Sequence, residues 1–384
     1  MEFGAKLKNK NLHIYTVLAG ILFFIIYLFL YRLVLPFGDE PDFVTRYSQL
    51  STFAHGWFSP YRYLLDSLEA ISPPGSCQIA ASPFSIGADI DFEGCSEPFS
   101  MSVYRFITSV FVFSPLLFLS LFLGCVRYSL RAVALVLSML IPGTIYYSGV
   151  LSLEQLSLMF SLLCFLYWKQ RLVVILLVAV VSLIDFGNAL VVGSFYMMAQ
   201  FYSMIYEKYG WSPVFFISML QITILFVVGH GILVYTAELS FLSDKSTAMG
   251  DLLNNSDLVD KYPVILRPVI TYMSLIFFTP SYLKTPILYL LFGVIIFIGV
   301  KRLITYFQSA SESDRYDILV AFTSVICVLS FVFMFPNYSN AKYYVFLLPF
   351  LLLSFLKVFG ILRVFLFLFT SNLIVFMHLI YFSL

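Results

Sequence analysis

What most constrains this chain is the near-continuous succession of apolar runs along it. Leu12 to Leu35 is the first, and others follow at roughly 104–124, 130–147, 151–168, 171–194, 213–236, 264–280, 286–300, 317–335, 343–358 and 361–381. Each approaches the ~17–25 residues that a helix needs to cross about 30 Å of hydrocarbon. Composition agrees: 61% of the 384 residues are hydrophobic and 11% are charged, the latter less than half the roughly 25% of a soluble domain. One globular core cannot hide that much apolar surface, so lipid is the main solvent. The pattern predicts an all-α polytopic membrane protein with about ten or eleven transmembrane helices, residues 1–384 forming a single integral membrane domain. A net charge of +1 supplies no basic field for nucleic acid, and membrane lipids are the expected surroundings.

The run from Leu12 to Leu35 is too long for the core of a secretory signal. It is followed by Pro36, Phe37, Gly38 and Asp39 without a small-residue cleavage site. Lys6, Lys8 and Lys10 precede it, which puts the amino terminus in the cytoplasm and the next segment outside. That first outer loop, 36–103, has no spanning stretch and concentrates Asp39, Glu40, Asp42, Asp66, Glu69, Asp89, Asp91, Glu93 and Glu97. Arg127 with Arg131, Lys169 with Arg171, Lys301 with Arg302 and Arg315, and Lys357 with Arg363 predict cytoplasmic turns. Parity works if 171–194 is one span. The alternative is that Asp185-Phe186-Gly187-Asn188 breaks the run into two helices continuing to about Ile205, which inverts the loop 237–262.

Within the outer loop, Phe43, Tyr47, Leu50, Ala54 and Trp57 recur at helical spacing after Glu40-Pro41, as in an amphipathic helix lying on the membrane surface. Cys77 and Cys95 flank a Ser/Pro/Gly-rich stretch; in an oxidising compartment a disulfide closes the loop there, and two free thiols are the other reading. Cys125, Cys164 and Cys327 sit in or beside apolar runs and read as small core residues. No CxxC pair or His-rich cluster calls for a metal; a divalent cation remains an optional assistant rather than a required cofactor.

The carboxylates Asp39, Glu40 and Asp42 crowd the outer end of the first span. Adjacent acids at a lipid–water boundary do not all ionise cheaply, which suits one of them to general-base work; equally, they cap the following helix. Glu154 starts another apolar run at an outer boundary, either facing the bundle interior or serving as a helix-start acid. Asp185 lies deeper, where a hydrogen bond to Asn188 or to a neighbouring helix explains it as well as function does. Lys342, in Asn337-Tyr338-Ser339-Asn340-Ala341-Lys342-Tyr343-Tyr344, is a candidate phosphate-binding cation, with Arg46, Arg62, Arg105 and Arg267 behind it. Cations flanking a span also commonly snorkel as plain anchors. There is no Gly-rich phosphate loop, HExxH pair or GxSxG elbow, which leaves ATP-driven transport and metalloprotease chemistry without support.

One span from a basic amino terminus, then an outer loop opening with Gly38-Asp39-Glu40-Pro41, resembles the polytopic GT-C glycosyltransferases, which use sugars linked to polyprenyl phosphate on the periplasmic or luminal side. Tyr147-Ser148 through Glu154-Gln155-Leu156, and Lys342-Tyr343-Tyr344 followed by Leu347-Leu348-Pro349, are similar to further stretches of that family. In the family an Arg or Tyr often follows the acid pair closely; here Asp42-Phe43 intervenes before Arg46. The resemblance implies an inverting transfer to a glycan or lipid-linked glycan acceptor. Asp39 is then the general base, Glu40 orients the acceptor, Asp42, Arg46 and Glu154 line the pocket, and Lys342, Tyr343 and Arg267 hold the donor phosphate. It also implies an active site on the periplasmic or luminal face; a bacterial inner membrane, with the site facing the periplasm, is the expected location because the chain is compact and shows no evident endoplasmic-reticulum retrieval tail. The competing expectations are a surface-polysaccharide polymerase or ligase using polyprenyl-diphosphate glycans, with Arg46, Arg62 and Arg105 in the leading roles, and a non-catalytic transporter of lipid-linked glycans.

Overall fold

The structure is a computed structural model, and it describes residues 16–18, 20–22, 114–123, 129–149, 153–237, 266–277, 286–334 and 341–383. The first outer loop, the surface helix expected in it, and Cys77, Cys95 and Cys125 lie outside the described residues. Among those described, every regular element is helical. The helices are α1 (Ser114–Leu123), α2 (Leu130–Ser138), α3 (Pro142–Gly149), α4 (Leu153–Leu166), α5 (Arg171–Ile184), α6 (Phe186–Tyr209) and α7 (Trp211–Ala237). After these come α8 (Arg267–Phe277), α9 (Pro286–Ser309), α10 (Glu312–Met334), a 3-10 helix (Ala341–Leu347), α11 (Leu348–Phe359) and α12 (Ile361–Ser383). Four stretches among them are long and apolar enough to cross a membrane: Gly187–Tyr209, Trp211–Val228, Glu312–Met334 and Ala341–Phe359. Large apolar side chains such as Phe118, Leu172, Phe216, Val227 and Phe297 stand exposed, as they do on a surface wetted by lipid rather than water.

The chain forms two compact units, residues 1–189 with 361–384 and residues 190–360. In the first, α4 and α5 pair through a tight turn closed by the Gln170 N–H donating to the Tyr167 carbonyl at 2.7 Å. Helices α2 and α3 pack on α4, and α12 packs on α3. The apolar run 130–147, expected as one span, is two helices. Pro142 has no N–H to give to the Ser138 carbonyl, so α2 stops and α3 starts with the proline in its first turn. The Leu140 carbonyl freed by this break accepts from Asn372 Nδ2 of α12 at 2.7 Å, which keeps a buried backbone group satisfied in an apolar setting. Arg131, at the start of α2, donates to the Phe165 carbonyl at the end of α4 and lies over the Phe165 ring. The Arg131 cation and the Lys169–Arg171 turn therefore lie at one end of this unit.

Of the two readings of 171–194, the structure takes the broken one. Asp185 stands extended between α5 and α6 (φ −148°, ψ 105°), and its carboxylate accepts from the Gly187 and Asn188 backbone N–H groups at 2.8 and 3.4 Å. The Asn188 side chain donates to the same carboxylate at 2.7 Å. The acid thus caps a helix, with the Asn188 bond foreseen as its structural explanation.

In the second unit α10 is the central helix, packed by α7, α8, α9, α11 and the 3-10 helix. Helices α7 and α10 run parallel. Trp211 meets Phe322, Gln221 donates to Ser330 Oγ at 2.8 Å, and Phe226 meets Phe333, so both sequences advance together. Gln221 is fully used: its oxygen accepts from Tyr202 Oη at 2.7 Å and its nitrogen also contacts Met198 sulfur. Such a polar clasp joins three helices where hydrophobic burial gives little, because lipid tails are as apolar as leucine. Cys164 and Cys327 are buried free thiols, as expected of small core residues.

One expected feature differs. Lys301 and Arg302 lie inside α9, which continues to Ser309, and the turn is at Ala310-Ser311. Nothing after Val300 breaks a helix, and the cations extend from it, Arg302 over the Phe359 ring at 5.3 Å. Of the run 264–280, expected to span, residues 266–277 are described, and α8 occupies Arg267–Phe277 of them.

Candidate functional site

The Lys342 segment owes its form to its sequence. Ala341 to Leu347 winds as a 3-10 helix that passes directly into α11, with Pro349 in the first turn, where its missing N–H costs nothing. Tyr344 is buried against the unit, while Lys342 and Tyr343 are half-buried. The Lys342 ammonium lies over the Tyr343 ring, 5.5 Å from its centroid, a contact that the ring's electron-rich face favours.

Helix α8 packs against this 3-10 helix. Its first residue is Arg267, followed by Pro268, and the Arg267 carbonyl accepts from Thr271 Oγ1 at 2.9 Å. Arg267 is only 6% exposed. A cation at the amino-terminal end of a helix opposes the helix dipole, and burial removes water from the charge, so such a charge is ordinarily compensated by its neighbours. On the same helix, the Tyr272 hydroxyl is buried with no hydrogen-bond partner among the described residues. The three residues expected to bind the donor phosphate, Arg267, Lys342 and Tyr343, are therefore carried by two elements that touch.

The opposite end of this unit is fixed by an ion triad. Lys357, at the carboxyl end of α11, bonds Asp314 at 2.6 Å and Asp317 at 2.5 Å in the first turns of α10. Asp314 also accepts from Ser311 Oγ and Tyr306 Oη. From Asp317 to Met334, the last residue of α10, the triad is separated from the Lys342 end by about 25 Å of helix. The triad was missed because Lys357 reads as a turn marker. The signal available was Asp314 and Asp317, three apart on one helical face and in need of a common partner.

Of the other candidates, Asp39, Glu40, Asp42, Arg46, Arg62 and Arg105 lie outside the described residues. Glu154 is the second residue of α4, in the other unit, at the helix end away from the Lys169–Arg171 turn; its side chain is outside the description. Among the described residues no group of three or more His, Cys, Asp or Glu side chains is placed to hold a metal ion. Compared with known proteins, the chain matches no family model, no curated protein and no solved structure.

Proposed function

We propose that the protein is an inverting membrane glycosyltransferase that moves a sugar from a polyprenyl-phosphate donor to a glycan or lipid-linked glycan on the outer face of a bacterial inner membrane. The observation that supports it is the packing of Arg267 and Lys342 on touching elements at the end of the unit remote from the Lys357 triad. A monoanionic phosphodiester at the membrane surface needs such cations, and its polyprenyl chain needs the apolar helix faces beside them.

In this reading Asp39 removes the proton from an acceptor hydroxyl while Glu40 orients that hydroxyl. The oxygen attacks the anomeric carbon from the face opposite the phosphate, and the carbon–oxygen bond to phosphate breaks. The electron pair leaves with the polyprenyl monophosphate, whose growing charge Arg267 and Lys342 stabilise, with Tyr343 supporting the ammonium. Asp42, Arg46 and Glu154 line the acceptor side. The test is a transfer assay on the purified protein: Asp39→Asn abolishes transfer at unchanged expression, and full activity in that variant rejects the base assignment.

A further inference from the structure

In the unit formed by residues 190–360, α9 meets α11 along a seam that begins at a glycine. Gly299 has no side chain to keep the Phe355 ring away, and a Cβ there would sit 3.2 Å from it. One turn nearer the triad end, the Arg302 guanidinium lies over the Phe359 ring, 5.3 Å from its centroid. Phe355 and Phe359 are themselves stacked, with centroids 5.8 Å apart and planes 14° from parallel. The four side-chain positions advance together along both helices, so the seam is a groove with an aromatic wall and a cation at one end.

The strip of α9 beside the seam has a definite order. Val294, Ile298, Lys301, Arg302 and Thr305 recur at helical spacing, and all five are exposed. The apolar residues come first and the cations last, toward the end where Tyr306 donates to Asp314. From Val294 to Lys301 is about 10 Å of helix. A phospholipid in the leaflet at that end has the same order, with its chains inside and its phosphate at the surface.

The two cations have no carboxylate within ion-pair distance among the described residues, because Lys357 takes both Asp314 and Asp317. The triad keeps one negative charge in excess, which the Ser311 and Tyr306 hydroxyls share by donating to Asp314. A cation that merely anchors a helix need only reach water. Arg302 is instead held against a ring beside Lys301, which lowers the ordering cost when the pair takes a phosphate.

We propose that the groove between α9 and α11 binds an anionic phospholipid of the leaflet at the triad end, its phosphate on Lys301 and Arg302 and an acyl chain along Ile298, Val294 and the Phe355 ring. Basic pockets between transmembrane helices take anionic headgroups in this way, each cation contributing about fivefold. The site does not depend on glycosyl transfer, and it is at the end of the unit remote from Lys342.

The experiment is native mass spectrometry of the full chain in detergent, titrated separately with phosphatidylglycerol and phosphatidylcholine. The first phosphatidylglycerol should bind at least about tenfold more tightly than the first phosphatidylcholine. Lys301→Gln with Arg302→Gln should bring the two lipids within about twofold of each other. Arg302→Gln alone should lose about fivefold, and serves if the double variant does not fold. Lys169→Gln with Arg171→Gln, which removes two cations from the turn after α4, should keep the whole preference. Equal retention of the two lipids by the wild type, or a preference that survives Lys301→Gln with Arg302→Gln, overturns the site. Displacement of the bound lipid by excess inorganic phosphate overturns it as a lipid site and leaves a site for a free anion.

Discussion

Trp211, the first residue of α7, packs its indole against Phe307 in the last turn of α9, ring centroids 5.1 Å apart. The start of α7 and the end of α9 are therefore on one side, the side of the Lys357 triad. Since α7 runs parallel to α10, from Phe322 to Phe333, the segment 238–285 leaves from and returns to the opposite side. An odd number of crossings between them is excluded.

The consequence is testable by side-specific labelling in a background without the five native cysteines. With the triad end cytoplasmic, as the positive-inside rule requires, Asn255→Cys reacts with an impermeant maleimide added outside, and Ser309→Cys reacts only after permeabilisation. Labelling of both from the same side contradicts the arrangement.

Lys357 holds two carboxylates, so removing it strands both. Breaking a buried pair costs about 3–5 kcal/mol; Asp314 is 26% exposed, which places Lys357→Met nearer about 2–3 kcal/mol. Thermal unfolding in detergent should show a clear drop in midpoint, partly recovered on adding Asp317→Asn. An unchanged midpoint in Lys357→Met is the contrary result.

Gly20 approaches α2 so closely that an added Cβ would sit 2.8 Å from Val136 Cγ1. Valine is stiff at χ1 and cannot swing aside cheaply. Alanine gains about 1 kcal/mol in helix propensity over glycine, but overpacking costs about 1–3 kcal/mol. Gly20→Ala should thus be destabilising or near neutral, and Gly20→Ala with Val136→Ala should be more stable than Gly20→Ala alone. A Gly20→Ala protein that melts higher than wild type shows the contact to be loose.

The outer-loop cysteines give a check on compartment. An impermeant alkylating reagent added to the outside of intact spheroplasts should modify Cys77 and Cys95 only after reduction. Modification before reduction removes the disulfide.

Much of the late helix pattern was legible because its boundaries are chemical. Gly360 ends α11 with φ 81°, a conformation open to glycine, and Ser311 caps α10 by accepting from the Asp314 N–H. Hydropathy misleads where it runs smoothly across a break. Pro142 and Asp185 each interrupt an apolar stretch whose average stays high, and the local rules for proline and for helix caps, not the average, decide the fold. Pairings across the chain were not legible at all. Gln221 finds Ser330 109 residues away, and Lys357 finds Asp317 40 residues back, distances over which periodicity carries no information. For the site, Lys342 and Arg267 read in the sequence as separate surface cations, and only the packing of α8 on the 3-10 helix brings their elements together.

The most direct test of glycosyl transfer is mass spectrometry of the lipid released when the purified protein in nanodiscs is given, separately, polyprenyl-phosphate sugars and polyprenyl-diphosphate glycans. Release of polyprenyl monophosphate from the first panel, lost in Asp39→Asn and weakened in Lys342→Met, is the predicted result. Release of polyprenyl diphosphate with a lengthened glycan from the second panel, and none from the first, contradicts it and assigns the protein to glycan polymerisation.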